Sequence, residues 1–147
     1  MRVLAKIATA AAIAVPMLVA IPGAANAAAS PSGCSSVTQI GSTAYLNVGG
    51  QTMASVKQYK GCGKNYSYLY VWEGYRNTHS SWDVCTAIVT NGGHDVQDPR
   101  CGHNSVELWS FGAATLAECT QGLGWTGYGP IPYPSDGDIA VKTDVRC

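Results

Sequence analysis

The chain has 147 residues, nine lysines and arginines against nine aspartates and glutamates, and only 12% charged residues. This is one domain's worth of chain. There is no basic excess to hold nucleic-acid phosphates, and 46% hydrophobic content is too apolar for a disordered segment.

The first 27 residues read as an export signal rather than as structure. Arg2 and Lys6 make a positive start, an apolar run spans residues 7–21, and Ala25 and Ala27 satisfy the small-residue rule for signal peptidase. Cleavage is expected after Ala27. The apolar run is broken by Pro16 and is short for the ~30 Å hydrocarbon layer, and no second run follows. The expected product is secreted and does not insert into a membrane. Losing Arg2 and Lys6 leaves two more acids than bases, and the close basic group Lys57, Lys60 and Lys64 reads as a solvated edge. Nucleic acid is therefore not an expected partner.

All six cysteines, Cys34, Cys62, Cys85, Cys101, Cys119 and Cys147, follow the signal. An even number in an exported chain points to disulfides. No C-x-x-C pair or Cys/His knuckle of the kind structural zinc uses is present. No cofactor or metal is expected. Six cysteines can pair in many ways. Strand hairpins that bring nearby cysteines together favour Cys34–Cys62, Cys85–Cys101 and Cys119–Cys147.

Residues 28–33 are Ala/Ser/Pro-rich and read as a flexible lead to a single domain over residues 34–147. Short runs that alternate with turn residues then predict strands at 43–48, 53–59, 66–72, 84–90, 106–111 and 139–145. Gly49-Gly50, the segment 61–65 and Asn91-Gly92-Gly93 supply turn signals. One short helix is expected at 113–121. The segment 122–138 carries Pro130, Pro132 and Pro134 and is expected to be a loop, because proline cannot donate within a central ladder. The predicted fold is an all-β antiparallel sandwich or small barrel with three disulfides and at most one short helix.

Residues 56–69, VKQYKGCGKNYSYL, resemble the strand, cysteine turn and aromatic strand of a hairpin in small secreted bacterial proteins of the YjfA-like family. That resemblance implies a folded, exported β-domain and no chemistry. The size, export signal and cysteine count also resemble the adaptor subunits of secreted bacterial umbrella-shaped toxin particles, which implies a protein-binding role.

The leading site is aromatic. Tyr66, Tyr68, Tyr70 and Trp72 repeat at period two, so a strand places them on one face. Tyr75 and Arg76 extend the patch, and Tyr, Trp and Arg are the residues enriched at interfaces. These six are the expected partner-binding residues. The competing reading is that this face is core.

Catalytic patterns are weak. His79, His94 and His103 are scattered among aspartates and no G-x-S-x-G elbow is present. Glu73, Glu107 and Glu118 are too few and too ordinary to single out a glycosidase pair. Asp136-Gly137-Asp138 lacks the further spaced oxygens of a calcium loop and reads as a turn. The expected protein is not an enzyme. It is a secreted interaction module docking another secreted protein. Two alternatives stand beside it. One is an inhibitor of a secreted protease or other hydrolase, acting through a loop at 97–101, whose Arg100 suits a trypsin-like pocket, or through the segment 129–134. The other is a cell-wall or glycan binder using the aromatic face.

Overall fold

The structure, a computed structural model, describes residues 30–127 and 134–147. The expected signal, residues 1–27, lies outside the described residues. So do Ala28 and Ala29 of the expected lead and most of the proline-rich segment 129–134.

Among the described residues eight strands appear in chain order: β1 Thr38–Val48, β2 Gln51–Gly61, β3 Lys64–Val71, β4 Asp83–Thr90, β5 Asp95–His103, β6 Glu107–Trp109, β7 Gln121–Thr126 and β8 Ala140–Lys142. They form two four-stranded sheets, ordered β1-β2-β3-β6 and β5-β4-β7-β8, with every pairing antiparallel. The all-β sandwich and its three disulfides are as the sequence predicted. Bridges join Cys34 to Cys62, Cys85 to Cys101, and Cys119 to Cys147.

Local chemistry explains the hairpins. β2 turns into β3 through Cys62 and Gly63, whose φ values are 49° and 72°. Two left-handed residues make the primed turn whose twist matches that of paired strands. The Cys34–Cys62 bridge is therefore anchored at a hairpin tip.

The sheets pack through an inner layer of Leu46, Val56, Leu69, Val71 and Val84, all fully buried. Opposite them, β7 presents Gly122 and Gly124. A Cβ on Gly124 would lie 2.4 Å from Val56 Cγ2, so only glycine admits this approach of the sheets. Polar groups in the layer are paired, as burial requires. The Thr86 hydroxyl lies 2.7 Å from the Ser67 hydroxyl and 2.9 Å from the Leu123 carbonyl, and the Gln58 amide donates to Thr120. Both outer faces carry buried clusters of their own. On the second sheet Trp125 lies directly across from Cys85, beside Ala87, Val89 and Leu123.

The flanks are tied. Phe111 N–H donates to the Asp98 carbonyl at 3.0 Å, joining the chain after β6 to β5. On the other side Ser42 N–H donates to Asp144 at 2.6 Å, joining β1 to the chain after β8.

Three expectations are corrected. No helix forms at 113–121. Ala113 exchanges backbone hydrogen bonds with Asn65, and Thr115 and Thr120 are buried with side-chain partners, so tertiary hydrogen bonds override the alanines' helix propensity. Among the described residues the α-helical turn is instead α1, Glu73–Arg76, and a 3-10 turn spans Asn91–Gly93. Residues 122–126 are not loop but most of β7, an interior strand between β4 and β8. Segment 97–101 is not a loop but part of β5, paired with β4.

Candidate docking face

The outer face of the first sheet is built in cross-strand rows. The register aligns Tyr45, Ser55, Tyr70 and Glu107 across β1, β2, β3 and β6. The next row is Lys57, Tyr68 and Trp109, and the third is Gln39, Tyr59 and Tyr66. The sequence predicts one strand's stripe, and the fold turns it into a sheet-wide aromatic surface.

Its middle is closed. Trp109 sits 4.7 Å from Tyr68, 5.0 Å from Tyr59 and 6.4 Å from Tyr66, centroid to centroid. Tilted and edge-on geometries of this kind add attraction beyond area burial. Cys34 and Val37 pack on this cluster. The segment carrying them lies so close to β2 that a Cβ on Gly61 would meet the Ser36 carbonyl. Tyr66 and Tyr68 are each only 5% exposed. The Tyr68 hydroxyl donates to Glu107 Oε2 at 2.8 Å. Burial, reinforced by that carboxylate, holds the Tyr68 phenol well above the ordinary tyrosine range, and burial alone raises Tyr59. The Trp109 indole N–H is buried and has no partner among the described residues.

One end of the face remains open. Trp72 is 42% exposed and Tyr45 53%, with Tyr70 half-buried between them. Tyr70 and Trp72 meet edge to face at 5.5 Å. Ser55 lies beneath, between Tyr45 and Tyr70, which stand two strand spacings apart, about 10 Å. Arg76 is half-buried, its guanidinium donating to the Val71 carbonyl.

The six expected contact residues therefore divide. Tyr70, Trp72 and Arg76 keep accessible surface. Tyr66 and Tyr68 form the aromatic floor. Tyr75 leaves this face altogether, packing into the inner layer and stacking on His79 at 3.8 Å. The stripe misses Tyr45, because its place beside Tyr70 depends on the β1–β2–β3 register. Its alternation with inward-facing Ala44 and Leu46 was the available signal.

The other sequence candidates lie elsewhere. His103 Nδ1 pairs with Asp83 at 2.7 Å on an exposed surface, and no serine hydroxyl bonds it among the described residues. Arg100 is exposed on β5, its guanidinium 5.7 Å from the centre of the Phe111 ring. Residues 135–138 form the expected turn, closed by Asp138 N–H to the Ser135 carbonyl at 3.0 Å. Sheet edges are poorly suited to strand addition. β1 is interrupted by two register shifts, β5 carries Pro99 and a left-handed Asp98, and β6 and β8 are three residues each.

No protein-family model, curated protein or solved structure matches this chain.

Proposed function

We propose that this protein is a secreted, non-enzymatic interaction module, docking a second secreted protein on the open end of its aromatic sheet face, as an adaptor subunit of a secreted bacterial toxin complex would. The observation that carries the reading is the exposed group Tyr45, Tyr70 and Trp72 on a floor of buried aromatics. Large, amphipathic side chains on a rigid support lose little conformational freedom on binding, which makes such groups effective hot spots. Three disulfides fit an oxidising compartment. The blunted edges favour face docking over strand addition.

The test compares the wild-type protein with a Tyr45→Ala, Tyr70→Ala, Trp72→Ala variant as baits in the culture fluid of the producing cells. Loss of a stoichiometric companion from the variant supports the reading. Equal retention by both, or an Arg100→Ala variant losing the companion instead, refutes it. Tyr70 and Trp72 beside the Glu107 carboxylate also suit sugar stacking and hydroxyl recognition. Retention on purified cell wall, relieved by soluble sugar, would move the assignment to a glycan binder.

A further inference from the structure

Away from the aromatic face, a pocket of about 310 Å³ opens at the end of the sandwich where β1, β2, the segment before β7 and the chain after β8 converge. Its volume is at the lower end of the range typical of small-molecule sites. Its frame is rigid. Thr120 and Arg146 exchange backbone hydrogen bonds at 2.6 and 2.8 Å, and the Cys119–Cys147 bridge locks the two segments side by side.

The lining is chemically mixed. Lys60 and Glu118 bring opposite charges, and neither makes an ion pair among the described residues. Arg146 also lines the pocket, but its guanidinium is engaged by Asp144. Asn65 is 97% buried by its 3% exposure. Its side-chain amide nitrogen donates to Thr115 Oγ1 at 3.0 Å, which fixes the amide in the pocket wall. Ile40 and Leu116 add apolar wall, with Leu116 52% exposed.

A plain anion would meet Glu118, and a plain cation would meet Lys60. A ligand carrying both charges satisfies both. We propose that this pocket binds a small zwitterion of the α-amino-acid class with an apolar side chain, its carboxylate toward Lys60, its ammonium toward Glu118 and its side chain against Ile40 and Leu116.

Three probes dissect the site by NMR titration of the purified, disulfide-bonded protein: L-leucine, leucinamide, which lacks the carboxylate, and N-acetyl-leucine, which lacks the ammonium. L-leucine is expected to shift resonances of Lys60, Asn65, Leu116 and Thr120 and to bind most tightly. Each blocked analogue should bind about tenfold more weakly, the loss expected for one charged contact at ~1.4 kcal/mol. Lys60→Met should erase the difference between leucine and leucinamide, and Glu118→Gln the difference between leucine and N-acetyl-leucine. Both positions are at the surface, so both variants should fold, and an unchanged spectrum outside the pocket verifies this. No shift with any probe, equal binding of all three, or leucine binding unaffected by both substitutions overturns the proposal.

Discussion

Gly124→Ala probes the approach of the two sheets with a single methyl group. Gly124 pairs with Thr86 of β4 and Val141 of β8, and its missing side chain faces the first sheet. The added Cβ would sit 2.4 Å from Val56 Cγ2 and 3.0 Å from Leu69 Cδ1. Val56 and Leu69 are both fully buried, so neither side chain can swing aside into solvent, and the sheets must part. Overpacking a close-packed core costs roughly 1–3 kcal/mol. The loss of glycine's freedom in the unfolded chain offsets about 0.4–1 kcal/mol. The net expectation is a destabilisation of about 1–2 kcal/mol, or a Tm lower by roughly 4 °C per kcal/mol for a domain of this size. Gly74→Ala is the matched control. It lies in α1, its nearest neighbour to an added Cβ is Gln51 Nε2 at 3.9 Å, and it should be neutral or slightly stabilising. Urea unfolding with disulfides intact reads both, as midpoint shifts at constant m. A Gly124→Ala protein as stable as wild type, or a Gly74→Ala protein equally damaged, would refute the close approach of β7 to β2 and β3.

Tyr68→Phe removes the phenol bonded to the Glu107 carboxylate and should cost about 1–2 kcal/mol, whereas Trp72→Ala, at the open end, should alter stability far less; chemical denaturation separates the two. The raised phenols of Tyr68 and Tyr59 stay neutral in the folded state after the unfolded chain begins to ionise near pH 10. Their contribution is complete below that pH and is lost as pH rises further. Alkaline spectrophotometric titration should show delayed tyrosine ionisation, partly relieved in Tyr68→Phe. Asp144 is held below the ordinary carboxylate range, first by the Ser42 backbone N–H and then by the Ser42 hydroxyl and Arg146. Its contribution is present above the unfolded-chain value and lost as pH falls through the lowered one; Asp144→Asn should flatten the acid limb of a stability–pH profile. Trp125 packs directly against the Cys85–Cys101 bridge, so reduction of that bridge should raise Trp125 fluorescence, and a Trp125→Phe protein should lose the response.

Much of the architecture was legible in the chain because it was local. The period-two run of β3 carries its own face, the short apolar run of β4 reads as a strand buried on both sides, and the hairpin at Cys62–Gly63 needs only two left-handed residues. The nearest-cysteine pairing held for the same reason: Cys85 and Cys101 face each other across one β4–β5 ladder. The failures have a common physical origin in distant partners. β7 has glycine where a strand usually shows β-branched residues, because Val56 and Leu69 fill that space from the other sheet. β5 hides behind Asp98-Pro99, acceptable there because the strand lies at an edge. Ala113 and Thr115 look helical until Asn65 is brought to them. The aromatic stripe shows the same division. Its alternation on β3 is a local property, but whether a given tyrosine is floor or surface depends on Trp109, Tyr59 and the Cys34 segment. Tyr45 joins the open end only through strand register.

The most direct measurement is the stoichiometry of complex formation by wild-type protein and by the Tyr45→Ala, Tyr70→Ala, Trp72→Ala variant, each recovered from culture fluid and analysed by mass spectrometry. Docking on the open aromatic face predicts a companion protein at fixed stoichiometry with the wild type and its loss from a variant that remains folded and disulfide-bonded. A companion retained equally by both proteins, or none captured by the wild type, would contradict it.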